Sequence, residues 1–114
     1  MAISAEDRRS IEMLQQYICD HLQDDENMDQ LASLVHMSKS KLKYTFKGVC
    51  GMTVAEYRAR QRTDKACGML RKTDVTMDEI AQSVGFGSTS SFSRFFKEQT
   101  NQTPTQYRKS FRTP

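Results

Sequence analysis

The side chains best suited to chemistry in this sequence are cations and hydroxyls, and they are unevenly spread. Residues 39–72 hold ten bases (Lys39, Lys41, Lys43, Lys47, Arg58, Arg60, Arg62, Lys65, Arg71, Lys72) against Glu56 and Asp64, while residues 1–30 hold eight acids against two bases. The formal net charge is only +3, so the segregation says more than the total: it points to one face that meets a polyanion. That chemistry is gripping rather than bond breaking. No Ser-His-Asp set, glycine-rich phosphate loop or paired carboxylate is discernible, so no enzymatic role is expected. A cysteine-dependent alkyl-transfer activity would need a proline-flanked cysteine motif, which Cys19, Cys50 and Cys67 do not supply. Those three lack CxxC spacing and suit reduced thiols in the cytoplasm. His21 and His36 have no Cys or acidic partner at a zinc-ligand spacing, so neither metal nor other cofactor is expected. No apolar run is long enough for a transmembrane helix, and MAISAEDRRS has neither the basic start nor the apolar stretch of a secretory signal.

The elements that must hold these groups are helical throughout, since no segment alternates with period two. Ile11, Leu14, Ile18 and Leu22 share one face of a helix over about Glu6 to Leu22. Asn27-x-x-Gln30 reads as a capping box opening a short helix with Leu31, Ala32, Leu34 and Val35 as its apolar side. His36-Met37 is a turn and Ser38 an N-cap. The next helix turns Leu42, Thr45, Phe46 and Val49 inward and Lys39, Ser40, Lys41, Lys43, Tyr44 and Lys47 outward, and ends at Cys50-Gly51. The stretch TVAEYRARQRTDKACGMLRK, Thr53 to Lys72, is a single helix of roughly 30 Å. Thr76-x-x-Glu79 then caps a short helix with Ile80, Ala81 and Val84 inward, Gly85-Phe86-Gly87 forms a turn, and Ser88 caps a helix with Phe92, Phe95 and Phe96 inward. Thr103-Pro104-Thr105-Gln106 starts a last helix running to about Phe111.

The chain repeats itself across the long helix. At an offset of 49, Asp29, Ala32 and Val35 recur as Asp78, Ala81 and Val84; at 50, Phe46, Lys47, Thr53, Tyr57 and Arg58 recur as Phe96, Lys97, Thr103, Tyr107 and Arg108. A short helix, a tight turn and a second helix with a basic outer face make a helix-turn-helix. Expected subdomains are 5–52 and 73–112, joined by a 53–72 connector helix. A rod of roughly 30 Å nearly matches the ~34 Å between successive major grooves on one face of DNA.

The stretch VGFGSTSSFSRFFKEQTNQTPTQYR resembles the signature of the AraC/XylS family of bacterial transcription regulators. The resemblance rests on Ile80, Ala81, Val84 to Phe86, Phe92 to Arg94, Phe96-Lys97, Thr103-Pro104 and Tyr107-Arg108, and in the first copy on Leu31-Ala32, Ser38, Leu42, Phe46-Lys47, Gly51 and Tyr57. Arg62, Ala66, Met69 and Leu70 follow the family's connector pattern, with Met for one Leu. The resemblance implies an all-α fold of seven helices with two helix-turn-helix units, binding double-stranded promoter DNA in a sequence-specific way. Asn101 stands where a glycine is usual, and Arg58, Gln61 and Thr63 where the connector is usually apolar. Gly48 and Gly68 fall inside helices at about 1 kcal/mol each relative to Ala.

Base reading is expected from outward residues early in each recognition helix: Ser40, Lys43 and Tyr44 in the first copy, Ser90, Ser93 and Arg94 in the second. Phosphate contacts are expected from Lys41, Lys47 and Lys97 and from the helix N-termini at Thr53 and Thr103. Arg58 and Lys65 lie on a flank open to solvent or phosphate. Arg62 falls inside the connector's apolar stripe (Ala55, Ala59, Ala66, Met69, Leu70), which predicts partial burial and pairing with a carboxylate such as Glu79. RNA polymerase is a candidate partner. A monomer is expected for this chain, or a dimer if a longer protein carries an effector domain. A rival reading keeps the fold as a protein-interaction adaptor or anti-activator without specific DNA binding.

Overall fold

A computed structural model describes residues 2–112, and its secondary structure is all helix: α1 (Ala5–Asp20), α2 (Met28–Leu34), α3 (Lys39–Cys50), α4 (Val54–Lys72), α5 (Met77–Ser83), α6 (Thr89–Thr100) and α7 (Pro104–Arg112). The helix starts follow the capping chemistry. Ser4, Asn27, Ser38, Thr76 and Ser88 each accept an amide hydrogen bond from the residue three positions on. At Asn27–Gln30 and Thr76–Glu79 the box is reciprocal. Thr53 and Thr103 open α4 and α7 in the same reciprocal way, with Glu56 and Gln106.

Two compact units meet inside α4, between Ala59 and Arg60. The first has a core of Ile11, Leu14, Ile18, Leu22, Leu31, Ala32, Met37, Leu42, Phe46 and Val54. The second is built on Ala66, Leu70, Ile80, Ala81, Val84, Phe92 and Phe96. Each fully buried phenylalanine contributes roughly 1.5–3 kcal/mol of apolar burial. The repeat reaches the packing of rings: Tyr57 meets Phe46 edge-on at 5.6 Å between centroids, and Tyr107 meets Phe96 edge-on at 5.4 Å. Its last member is the first helix of each unit, where Cys19 and Cys67 occupy matching places. The Cys19 Sγ lies 3.4 Å from the Tyr57 hydroxyl, and Cys67 hydrogen-bonds Tyr107. Burial first, then the cysteine, raises both phenols above their usual range. Thus α4 closes the first unit with its opening turns and begins the second with the remainder.

Both helix-turn-helix turns need left-handed backbone at the same place, met by His36 (φ 53) in one copy and Gly85 (φ 93) in the other. The Met37 and Phe86 amides then return to the Ala32 and Ala81 carbonyls at 3.0 and 2.9 Å. The extra residue that moves the repeat from 49 to 50 is Gly87, exposed and just ahead of the Ser88 cap. Helices α3 and α6 also end alike, with Gly51 (φ 76) and Asn101 (φ 64). Asn101 thus stands in the left-handed conformation that asparagine tolerates.

Some apolar residues differ from expectation. Leu34 is exposed because α2 has only seven residues and buries Leu31 and Ala32. Ala55 is exposed while Val54 is buried, because one stripe drawn along all of α4 ignores that its two ends serve different cores. Phe111 is exposed and lies beside Arg71, the guanidinium carbon 5.6 Å from the ring centroid.

Candidate nucleic-acid interface

Ser38 turns the backbone from the tight turn into α3, so the first residues of that helix face outward. Ser40, Lys43 and Tyr44 are all exposed. They line a hollow of about 630 Å³ with Ile3, Lys47 and Gly48. Ser40 and Lys43 also line a neighbouring hollow of about 390 Å³ with Met28, Lys39, Thr53, Val54 and Ala55. Residues expected to read bases and residues expected to hold phosphate thus converge in the first unit. On α6, Ser90 and Arg94 are exposed and Ser93 is half-buried, which shortens the reach of Ser93.

The basic side chains divide into two sets. Arg58 belongs to the interior: its guanidinium donates to the Glu26 carbonyl at 3.2 Å and sits 4.0 Å from the Glu26 and Asp25 carboxylates, with 14% of its side chain exposed. Arg108, its repeat mate, donates to the Leu70 and Thr73 carbonyls at 3.1 and 3.2 Å. Arg58 clamps the segment that follows α1, and Arg108 the last turn of α4 and the residue after it. Lys65 donates to the Ser83 carbonyl at 3.4 Å. The flank left open to solvent or phosphate is therefore corrected for Arg58, whose partners lie far off in sequence, while Lys65 stays exposed. Arg62 is half-buried as expected, 5.8 Å from the Phe86 ring centroid, while one Glu79 oxygen accepts the Thr76 amide.

The second set lies on the recognition helices. Lys39 and Lys41 pair with Asp29 at 3.7 Å and Asp7 at 3.3 Å. Among the described residues, Lys43, Lys47, Arg94 and Lys97 have no salt bridge, and all four are exposed. A surface cation is recruited cheaply when no internal partner must be given up, which holds for Lys43, Arg94 and Lys97 as it does for Arg8, Arg9, Arg60 and Lys72 elsewhere on the surface, while Lys47 also attracts the Glu56 carboxylate.

The helix N-termini also differ from the simple expectation of free amides. Thr53 donates its own amide to Glu56 at 2.9 Å, and the Glu56 amide returns to the Thr53 hydroxyl at 3.1 Å. Hydrogen bonds from Thr53 hold the Glu56 carboxyl below its ordinary range. Of the orphan first-turn donors, Val54 and Ala55 remain on α4, beside a carboxylate that repels phosphate. In α7 the neutral Gln106 caps instead. Pro104 has no amide, which leaves Thr105 as donor.

A helix-turn-helix domain family matches residues 31–110 of this chain. The chain belongs to the AraC-type helix-turn-helix family. Among its relatives, the HTH-type transcriptional regulator MtrA of Neisseria gonorrhoeae is 34% identical over 104 residues, 91% of this chain and 34% of that protein. The arabinose operon regulatory protein of Escherichia coli (strain K12) is 36% identical over 95 residues, 82% of this chain and 32% of that protein. The chain spans about a third of the length of these relatives. The solved C-terminal domain of AraT, a response regulator from Geobacillus stearothermophilus, is 29% identical with a TM-score of 0.82, covering 96% of this chain and 88% of that one. The AraC-type fold thus comprises the seven helices and two helix-turn-helix units described above.

Proposed function

We propose that this AraC-type domain is the sequence-specific DNA-binding part of a bacterial transcription regulator, acting on double-stranded promoter DNA in the cytoplasm. The supporting observation is the division of its cations. Those that stabilise the fold have internal partners, whereas Lys43 and Lys47 on α3 and Arg94 and Lys97 on α6 are exposed and without a salt bridge, Lys47 and Lys97 at matching places in the two units. The naming of MtrA and the arabinose operon protein as regulators agrees with this reading.

In the proposed mechanism each recognition helix enters a major groove. Ser40, Lys43 and Tyr44 read bases from α3, and Ser90, Ser93 and Arg94 from α6. Lys41, Lys47 and Lys97 hold phosphates, with the α7 N-terminus at Thr103 and, more weakly because Glu56 caps it, the α4 N-terminus at Thr53. Lys41 must first leave Asp7, so it contributes less than Lys47 or Lys97. Grooves one turn apart and a monomeric chain are part of the proposal, and the 19-residue connector helix, about 28 Å long, supports it. RNA polymerase is the proposed protein partner. The chain works by binding alone, without cofactor or catalysis.

Binding to a selected site distinguishes the roles. Arg94→Ala should relax preference at one base position, losing about 1–3 kcal/mol of discrimination. Lys47→Ala should weaken all sequences alike and flatten the salt dependence by about one ion. Uniform loss for both, with base preference intact, would remove Arg94 from the reading set.

A further inference from the structure

The chain ahead of α1 lies outside the family match, which begins at residue 31, yet it touches the recognition helix. Ser4 caps α1 by accepting the Asp7 amide at 3.0 Å, which fixes where the preceding residue points. Ile3 is half-buried, and its side chain lies across α3 at Gly48. A Cβ at Gly48 would stand 2.6 Å from the Ile3 Cδ1. A glycine within a helix lowers its stability, and this one leaves bare backbone where the arm crosses.

Ile3 walls the hollow whose other lining residues are Ser40, Lys43, Tyr44, Lys47 and Gly48. It does not cover them: Ser40, Lys43, Tyr44 and Lys47 all stay exposed, Tyr44 at 58%. The hollow therefore has an apolar side, made by Ile3, the Tyr44 ring and the Gly48 backbone, and a cationic side made by Lys43 and Lys47. Lysines suit phosphates and base acceptors. The apolar group that a major groove offers beside them is the 5-methyl of thymine.

We infer that Ile3 is a specificity-determining residue, forming with Tyr44 an apolar notch on the α3 reading face that takes a thymine methyl group. This rests on the proposed DNA-binding function and extends the reading surface to the N-terminal arm. The notch is continuous with the proposed base-reading residues, since Ser40, Lys43 and Tyr44 line the same hollow.

The test replaces each thymine of a selected site, one at a time, by deoxyuridine, which keeps the pairing and removes only the methyl. At one position in the half-site read by α3, the unaltered chain should bind about four-fold more weakly, the loss of one buried methyl-sized group. Ile3→Ser should weaken binding to the thymine site by a similar about four-fold factor and show no further loss with deoxyuridine at that position. Gly48→Ala, which keeps Ile3 but displaces it, should lose the same methyl sensitivity while leaving the helix at least as stable. Deoxyuridine penalties identical in all three proteins would overturn the inference while leaving DNA binding standing. Tighter binding by Ile3→Ser would overturn it too, because the arm would then be masking the face. Failure of the unaltered chain to prefer any sequence would instead refute the proposed function.

Discussion

Arg58 and Arg108, fifty positions apart, each tie a later helix of their unit back to the end of its first. By sequence Arg58 lies on a flank beside the connector's apolar stripe, open to solvent or phosphate. Its partners, Asp25 and Glu26, lie more than thirty positions earlier, and no helical periodicity reports such a contact. The repeat did hold the clue, since Arg108 is its mate and both reach back to residues at or beyond the end of a first helix. Removing Arg58 leaves Glu26 half-buried without its cation. Arg58→Met should cost about 2–3 kcal/mol in a denaturant melt and leave base preference unchanged; unaltered melting would show that the clamp is ornamental. The Glu26 carboxyl gives a pH signature. Burial resists its ionisation most, but the Tyr17 hydroxyl, a backbone amide and Arg58 outweigh that and hold it below its ordinary range. A depressed folded value means the contribution is complete above an unfolded pKa of about 4.3 and is lost as pH falls through the folded value. Urea midpoints measured from pH 7 to pH 3 should therefore fall less steeply for Glu26→Gln than for the unaltered chain.

Elements were the most legible scale, because capping is local. Asn27, Ser38, Thr76 and Ser88 could be read as helix starts from residues three or four positions apart, and the structure has helices starting there. The Thr53–Glu56 box has the same spacing but lies at the head of a longer run, where sequence alone suggests an N-terminus open to phosphate. What sequence alone obscured was the double duty of α4. A single stripe predicted Ala55 inward, whereas the helix buries Val54 for one core and Ala66 and Leu70 for the other. Backbone strain is unevenly shared between the repeats, with His36 and Asn101 in left-handed conformations where the opposite copy has Gly85 and Gly51. His36→Gly should stabilise the chain by roughly 1 kcal/mol, and Asn101→Gly by less, since asparagine tolerates this region. Gly68, with nothing within 4 Å of a Cβ added there, should gain about 1 kcal/mol as Gly68→Ala. Thermal melting of the three variants checks the order; a loss for Gly68→Ala would mean that α4 needs its glycine to bend.

For the whole molecule, duplication is what links fold to function. Each unit has its own core, its own tight turn and its own exposed cations without a salt bridge, Lys43 and Lys47 in one and Arg94 and Lys97 in the other. The seven-helix fold and the AraC-type family were legible because the second copy carries a dense motif and the first copy echoes it. The reading face was legible as helix positions, but the approach of Ile3 to Gly48 was not, since those residues are remote in sequence and hydropathy alone does not join them. Two units on one continuous helix should read two blocks of bases about one DNA turn apart, with no second chain required. Selection of binding sites from random duplex DNA tests this most directly. The proposed function predicts an enriched site with two conserved blocks centred about 10–10.5 base pairs apart. Recovery of no enriched sequence, or of a single block, would contradict it.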